Sequence, residues 1–253
     1  MSDQLIGLAQ NDNLLKGSSA KTLELVKTKS AIDLFICNCS HSLRAPLKSI
    51  TGLVHLLKYS NDQSKADPKL FLEAIEKTVQ NMESQLTDME QFLYTSRQGV
   101  AVQSVKVEEI LDHVLSEFLL VASKNLIDIR LTMDQGVPFY TDRNQFQVIL
   151  SQVISNAIHF RDHNKNRMTV TIDVKVTLIA CIIRVEDNGV GISKEALPNI
   201  FELFYQGSEK SNRSGAGLYI VREVLNRMKG TINVQSIEGK GTTCTISIPN
   251  KLL

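Results

Sequence analysis

One histidine in the first half of the chain has a setting that suits the transfer of a phosphoryl group. His41 lies in the segment FICNCSHSLRAPLKSI, two residues from Cys39 and from Leu43, which both belong to an apolar helical seam. Two residues correspond to roughly 200° around a helix, so we expect His41 on the opposite, exposed face beside Arg44. A neutral imidazole nitrogen with a free lone pair is a competent nucleophile towards phosphorus. Taken alone, a histidine in such a position is more often a surface residue that has no function.

Asp187 and the glycines after it form a second group of residues with recognisable chemistry. The segment Glu-Asp187-Asn-Gly189-Val-Gly191 directly follows an apolar run that is typical of a strand. An ionised carboxylate only accepts hydrogen bonds, so a buried Asp187 can select the exocyclic amine of adenine over a carbonyl group. Glycine lets the backbone approach a base closely because it carries no side chain. The alternative is an ordinary Asp-Asn-Gly hairpin turn.

Asn156 and two later glycines add groups that suit phosphates. Asn156 lies on a predicted helix about one turn before Phe160, so both side chains can face one pocket. An amide oxygen is a suitable hard ligand for Mg²⁺, and Phe160 offers a flat apolar face to a purine. Gly215 and Gly217 open another predicted helix, where backbone N–H groups and the helix dipole attract a polyphosphate. Taken alone, Asn156 is also compatible with a surface amide, and a single Gly-x-Gly has low specificity.

The first part of the chain must position the histidine, and up to Ser96 its pattern is helical. A break rich in Asn, Asp and Ser ends at Pro68, which suits the start of a helix. An uninterrupted heptad seam follows at Leu72, Ile75, Val79, Met82, Leu86, Met89 and Leu93. A similar seam before the break contains an extra four-residue step at Pro46. Since two helices alone bury little surface, we predict an antiparallel helical hairpin that pairs with a second copy as a dimeric four-helix bundle.

Beyond Ser96, segments with strand composition alternate with helical ones. The predicted strands are residues 100–105, 127–133, 168–177, 178–185, 231–236 and 242–248. The predicted helices are residues 107–123, 143–160 and 218–228. This order predicts a mixed sheet with helices on one face, which is a two-layer α/β sandwich. The predicted regions are an N-terminal helical or linker segment at 1–30, the helical domain at 31–97 and the α/β domain at 103–253.

Together these segments resemble the sensor histidine kinases of two-component systems. Ser-His41-Ser-Leu-Arg-Ala-Pro-Leu is similar to the phosphoacceptor box of that family. Five later segments, residues 152–160, 186–192, 200–204, 213–221 and 238–243, are similar to its ATP-binding motifs in the same order. The resemblance implies a HisKA-type dimerisation and phosphotransfer domain followed by a GHKL-type ATP-binding domain. Heat-shock chaperones, DNA gyrase and mismatch-repair ATPases share the latter fold.

The resemblance also implies a function for individual residues. His41 corresponds to the phosphoacceptor, with Ser42 and Arg44 beside it, and Asn156 corresponds to the Mg²⁺ ligand. The implied nucleotide-binding residues are Gln152, Asn156, His159, Phe160, Asp187, Gly189, Gly191, Ile192, Phe204, Gly215, Gly217, Leu218 and Thr242. The implied cofactors are ATP and Mg²⁺, and the implied partners are a second copy of the chain and a response-regulator receiver domain. The polar residues 205–214 are expected to form either a lid over the ligand or a solvated loop.

The chain departs from the pattern of the family at five positions. Ser42 stands where the family usually has an acidic residue, and Gln152 and His159 stand where it usually has Asn and a basic residue. Arg213 and Ala216 replace a glycine and a leucine in the motif that opens the last helix. These departures favour an alternative function, a catalytically degenerate nucleotide-binding dimer that regulates a partner without phosphotransfer.

Composition narrows the classes of partner. Among 253 residues, 28 are Lys or Arg and 27 are Asp or Glu, so the net charge of +1 provides no global attraction to nucleic acid or to an anionic membrane. No apolar run has the length of a membrane span, and the N-terminus lacks a secretory signal, which predicts a cytoplasmic protein. Four cysteines, Cys37, Cys39, Cys181 and Cys244, are expected to be unpaired thiols.

Overall fold

The computed structural model describes residues 42–59, 67–97, 99–162, 164–207 and 215–252. His41, Cys37, Cys39, Arg213 and the predicted segment 1–30 therefore lie outside the described residues. The chain folds as two compact units, Met1–Thr78 and Val79–Leu253, and the division falls within a long helix.

Residues 42–59 and 68–97, the described part of the N-terminal region, are helical, as the heptad seams predict. Residues 42–59 are helical throughout and constitute α1, and α2 spans Pro68–Arg97. Asp67 accepts a hydrogen bond at Oδ1 from the N–H of Lys69 at 2.9 Å. Pro68 has no N–H, which costs nothing at the first helical position because an N–H there has no partner within the helix. The second helix therefore begins at the predicted proline. None of the helices in the described part of the chain combines the length and hydropathy needed to cross a bilayer.

The α/β region follows α2 and alternates strands with helices. Its helices are α3 (Val107–Lys124), α4 (Arg143–His159) and α5 (Gly217–Met228), with a short 3-10 helix at Leu197–Asn199. Its strands are β1 (Val102–Val105), β2 (Ile127–Gln135), β3 (Phe139–Asp142), β4 (Met168–Val176), β5 (Ala180–Asp187), β6 (Thr231–Ile237) and β7 (Gly241–Pro249). The predicted helices are confirmed to within one residue at each end.

A mixed five-stranded sheet forms one layer of this region. Its strand order is β2-β4-β5-β7-β6, with β2 and β4 parallel and the other neighbours antiparallel. Along β4, Val170, Ile172 and Val174 are buried, while Thr171 and Asp173 between them are partly exposed. Such alternation places one apolar face of the sheet against the helices and leaves the other face to solvent. The predicted two-layer arrangement is confirmed.

Two local predictions need correction. The first predicted strand lies outside the main sheet, because β1 pairs with β3 in a separate antiparallel two-stranded sheet. Leu178 and Ile179 are not strand residues but form an exposed turn before β5. The strand β3 itself has no sequence prediction. Its last residue, Asp142, accepts hydrogen bonds from the N–H of Gln145 at 3.0 Å and from the N–H of Ala101 at 2.7 Å, so it caps α4 and holds the start of β1.

The two described cysteines are structural. Cys181 in β5 and Cys244 in β7 are free and buried. Burial raises the pKa of both thiols to about 12, so neither is a nucleophile at neutral pH. For these two residues the expectation of unpaired thiols is confirmed.

Candidate functional site

Asp187 is the last residue of β5, and the loop that follows encloses its carboxylate. Oδ1 accepts a hydrogen bond from the N–H of Gly189 at 2.8 Å, and the backbone N–H of Thr242 on β7 also bonds to the carboxylate. Burial raises the pKa of Asp187 to about 6, opposed by these two hydrogen bonds and by the charge of Lys165. A carboxylate has about four acceptor positions, so this one can still accept a hydrogen bond from an amine.

Two glycines in the loop after β5 stand where a side chain does not fit. A Cβ atom on Gly189 would lie 2.2 Å from the carbonyl oxygen of Phe160 at the end of α4. Gly191 has a φ of +69°, and a Cβ atom there would lie 2.1 Å from the carbonyl oxygen of Ile237 at the end of β6. The loop is therefore clamped between α4 and the β6–β7 turn by direct backbone contact.

Ser236 connects this loop to the hairpin formed by β6 and β7. Its hydroxyl accepts a hydrogen bond from the N–H of Ile192 at 2.8 Å and donates one to the carbonyl oxygen of Gly241 at 2.8 Å. The hydroxyl oxygen of Thr242 lies 2.9 Å from the hydroxyl oxygen of Ser236 and forms a hydrogen bond with it. Thr242 on β7 is the register partner both of Asp187 on β5 and of Ser236 on β6. Ser236 therefore supports the site across β7. No sequence signal marks this serine, since its partners are known only once the hairpin register is known.

The helix α4 brings Gln152 and Asn156 next to the first residue of α5. A Cβ atom on Gly217 would lie 2.6 Å from Oε1 of Gln152 and 3.8 Å from Nδ2 of Asn156. The first N–H groups of a helix have no partner within that helix, so the two amides lie beside backbone donors that α5 itself does not use. The structure therefore brings the predicted Mg²⁺ ligand together with a predicted phosphate-binding glycine.

Gln152 also contacts the C-terminal half of α2. Its Nε2 donates to Oε1 of Gln91 at 2.8 Å and to Oδ1 of Asp88 at 3.2 Å. Among the described residues, its buried Oε1 has no hydrogen-bond partner. Its amide group thus makes a helix–helix contact, and its contact with a nucleotide stays a prediction.

Phe160 and His159, at the end of α4, have different surroundings. Phe160 is 38% exposed, and its carbonyl oxygen accepts a hydrogen bond from the N–H of Val190 at 3.0 Å. The ring of His159 is directed to its own helix and to α3, because Nδ1 lies 2.8 Å from the carbonyl oxygen of Ser155 and the ring meets Phe118 edge-on. Phe160 therefore touches the loop after β5, whereas the ring of His159 contacts its own helix and α3.

The two ends of the predicted lid lie close together. Phe204 has a φ of 63° and Gly215 a φ of +75°, and a Cβ atom on Gly215 would lie 2.5 Å from the carbonyl oxygen of Tyr205. Leu218 is half-buried in the first turn of α5. Residues 208–214 lie outside the described residues, so the lid stays a prediction.

The residues predicted for phosphoryl acceptance belong to the other compact unit. Ser42 is half-buried and Arg44 is exposed, and both lie on α1. His41 itself is outside the described residues. Its predicted exposure therefore stays a prediction.

Two family models match the chain in the predicted order. Residues 31–93 match the His Kinase A (phospho-acceptor) domain. Residues 141–252 match the Histidine kinase-, DNA gyrase B-, and HSP90-like ATPase. The two matches together cover well over half of the chain. The chain belongs to the sensor histidine kinases.

The chain is similar to curated relatives and solved structures over most of its length. It is 26% identical over 223 residues to the sensor histidine kinase WalK of Bacillus subtilis (strain 168), a match that covers 86% of this chain and 36% of WalK. The structure of the Acinetobacter baumannii histidine kinase AdeS matches with a TM-score of 0.63 and 21% identity, over 84% of this chain and 98% of that one. The structure of histidine kinase ThkA in complex with response regulator protein TrrA matches with a TM-score of 0.71 and 20% identity, over 91% of this chain and 66% of that one.

These similarities establish the fold and leave the activity of the whole protein to be proposed. At identities of 20% and 21%, the solved structures show a shared fold alone. The chain spans only 34% to 39% of the length of the first three curated relatives. The implied GHKL-type fold of the histidine kinase is nevertheless confirmed.

The site of this histidine kinase fits an adenine nucleotide and its magnesium ion. Asp187 provides a half-buried acceptor for an amine, and the opening of α5 provides backbone donors beside the Asn156 amide. No group of three or more His, Cys, Asp or Glu residues in the described ranges could hold a metal. Mg²⁺ would be held by the Asn156 oxygen and by phosphate oxygens, a donor set that this ion accepts because it keeps most of its waters.

Proposed function

We propose that this chain is the catalytic part of an ATP-dependent protein-histidine kinase that phosphorylates its own His41 and passes the phosphoryl group to an aspartate of a response regulator. The observation that carries the proposal is that one chain contains both a phosphoacceptor-domain match around His41 and an ATPase-domain match around Asp187. The structure of ThkA with a response regulator supports a receiver domain as the partner. The phosphotransfer domain would comprise residues 31–97 and the catalytic domain residues 103–253.

In this proposal the adenine contacts the loop after β5. Asp187 accepts a hydrogen bond from the exocyclic amine, and the exposed Phe160 ring packs beside the base. Gly189 and Gly191 let the loop backbone lie directly against the carbonyl groups of Phe160 and Ile237, which holds the loop in place. The first N–H groups of α5 bind the phosphates. The further nucleotide contacts are proposed at Gln152, His159, Ile192, Phe204, Gly215, Gly217, Leu218 and Thr242.

The proposed reaction forms one bond and breaks one. A bond forms between an imidazole nitrogen of His41 and the γ-phosphorus, the bond from that phosphorus to the bridging oxygen breaks, and ADP leaves. Arg44, exposed and one turn after His41, provides positive charge near the transferred group. Mg²⁺ bound through Asn156 would neutralise charge on the phosphates. Positioning and electrostatic stabilisation account for most of such a transfer, so no second nucleophile is required.

Labelling with ATP that carries the label on its γ-phosphate separates this proposal from the alternative of a regulator without phosphotransfer. We expect acid-labile label in the parent and none in His41→Gln. The variant should bind ADP with the same affinity as the parent. His55→Gln is a matched control, because His55 is an exposed histidine on α1, and it should keep the label. A parent that binds ADP but takes up no label would favour the regulator.

Ser42→Glu is expected to phosphorylate itself at least about tenfold faster than the parent. In the family the acidic residue after the histidine accepts the proton on the other ring nitrogen, and a positioned base of this kind contributes roughly 10²–10⁴-fold. A serine hydroxyl accepts a hydrogen bond but carries no charge, so it stabilises the developing imidazolium weakly. The initial rate of label uptake measures the effect. Ser49→Glu, at an exposed position on α1, should leave the rate unchanged. An equal rate for a folded Ser42→Glu dimer would contradict the assignment.

The apolar seam of α2 predicts a homodimer. Leu72 is 58% exposed, Val79 40% and Leu86 47%, which is costly for a helix that stays alone in water. Light scattering at micromolar concentration should give about twice the 28.2 kDa of one chain. Met82→Lys would place an unpaired charge in the seam and should yield monomer, whereas the neighbouring exposed Glu83→Lys should not. A mass of 28.2 kDa for the parent would contradict the bundle.

A further inference from the structure

Lys165, in the segment between α4 and β4, donates to three backbone carbonyl groups. Its Nζ lies 2.6 Å from the carbonyl oxygen of Asn188, 2.9 Å from that of Gly239 and 3.2 Å from that of Gly189. An ammonium group has three N–H donors, so these contacts use its full capacity. The carboxylate of Asp162 lies 3.9 Å from the same Nζ atom, and the side chain of Lys165 is 29% exposed. The lysine is therefore part of the structure and not a solvated charge.

The three carbonyl groups come from two different segments that border the site. Asn188 and Gly189 belong to the loop after β5, and Gly239 belongs to the β6–β7 turn. The N–H of Gly239 also donates to the carbonyl oxygen of Val190 at 2.7 Å, so the two segments are already in contact. Carbonyl oxygens that converge on one point repel one another unless a cation lies between them. The ammonium group of Lys165 removes that repulsion.

Gly189 connects Lys165 to the carboxylate. Its carbonyl oxygen accepts from Lys165, and its N–H donates to Oδ1 of Asp187 at 2.8 Å. The charged groups that act on Asp187 are Lys165, which lowers its pKa, and Glu186, which raises it; Asp187 in turn raises the pKa of the buried thiol of Cys244. Removal of Lys165 would therefore loosen the loop and also remove a positive charge from the neighbourhood of Asp187.

We propose that Lys165 is a positioning residue for the nucleotide: its ammonium group holds the loop after β5 against the β6–β7 turn in the arrangement that accepts adenine. The proposal rests on the proposed function of Asp187 as the adenine acceptor. Lys165 acts through the backbone of Gly189, and its role does not require contact with the nucleotide.

Calorimetric titration of the full chain with ADP tests this role in three variants. Lys165→Met, which keeps the length of the side chain but no donor, should weaken ADP binding about tenfold, since hydrogen bonds to charged groups are the stronger ones. Lys165→Arg, which keeps the charge and several donors, should recover most of the affinity. Lys124→Met, at an exposed position at the end of α3, is the matched control and should bind as the parent does.

The pH dependence of ADP affinity distinguishes positioning of Asp187 from a general loss of structure. In Lys165→Met the pKa of Asp187 should rise. As the pH is lowered, the affinity of this variant for ADP should therefore begin to fall at a higher pH than that of the parent. A general loosening would lower the affinity by the same factor at every pH. If Lys165→Met does not fold, Lys165→Gln removes the charge but keeps an NH₂ donor group, and the same shift of the pH dependence is expected for that variant.

The outcomes separate this inference from the proposed function. A folded parent that does not bind ADP would overturn the proposed function itself. A parent that binds ADP, together with a folded Lys165→Met or Lys165→Gln variant of equal affinity and equal pH dependence, would overturn the role of Lys165 alone.

Discussion

Asp187→Asn is expected to weaken ADP binding about 5- to 150-fold, the factor that corresponds to one buried polar group left unpaired. The carboxylate of Asp187 accepts hydrogen bonds from the N–H groups of Gly189 and Thr242. An amide has one accepting oxygen and one donating NH₂ group. However the amide is turned, its NH₂ group therefore meets either a backbone N–H or the amine of adenine. The loss should occur without a large change in side-chain volume.

Calorimetry with ADP measures this effect, and Glu186→Gln provides a matched control. Glu186 precedes Asp187 on β5, but it is exposed on the opposite face of the sheet. Removal of its charge should leave ADP affinity within about twofold of the parent, because exposed charges interact weakly through water. Equal ADP affinity of Asp187→Asn and the parent would overturn the adenine assignment.

The affinity for ADP is also expected to fall as the pH is lowered through about 6, the value to which burial raises the pKa of Asp187. Only the ionised carboxylate is purely an acceptor, so one pH unit below that pKa the affinity should be about tenfold lower. Protonation of the terminal phosphate of ADP also lowers the affinity, but it does so equally for the parent and for Asp187→Asn. The difference between the pH dependences of the two proteins therefore reports on the Asp187 carboxyl group. For the nucleotide-free protein the sign is opposite. The folded pKa lies above the usual 3.8, so this group's contribution to stability declines as the pH rises from about 4 to about 6.

Gly191→Ala is expected to lower ADP affinity about 100-fold or more, because the added methyl group has no space. Its Cβ atom would lie 2.1 Å from the carbonyl oxygen of Ile237, a distance that real Cβ contacts do not reach. Either the loop after β5 or the β6–β7 turn must move, and Asp187 lies between them. Displacements of about 1 Å in a positioned site cost factors of this size. The φ of +69° adds a strain of about 1–2 kcal/mol to the folded protein.

Two other glycines separate the clash from the strain. Gly239 has a φ of +76°, and a Cβ atom there would have no neighbour within 4 Å, so Gly239→Ala carries the strain alone. Gly136 has open space and no positive φ, so Gly136→Ala should change neither melting temperature nor ADP affinity. Thermal unfolding and ADP calorimetry of the three variants give both quantities. The packing argument fails if Gly191→Ala binds ADP as tightly as Gly239→Ala does.

The sequence by itself indicated the family, most of the elements in their order, and Asp187 with its glycines as a candidate site. These features are local, since each is carried by a short run of residues with a strong period or a restricted choice of side chain. The limits of α3 and α5 followed from the helical pattern of their residues, and the start of α2 followed from Pro68 at the end of a polar break. The glycine at 191 was recognisable because only a residue without a side chain suits the backbone there.

The tertiary structure alone decided which distant groups support the site. Lys165 bonds to a carbonyl group 74 residues away, Gln152 to a carboxylate 64 residues away, and Ser236 to an N–H group 44 residues away. A polar residue in a loop or on a strand edge has no periodicity that reveals such a partner. The four-residue strand β3 is likewise too short to show an alternating pattern, and α3 and β2 separate it along the chain from its partner β1. Hydrogen bonds of this kind exist only after the sheet has set its register, because the register determines which carbonyl groups converge on the ammonium group of Lys165.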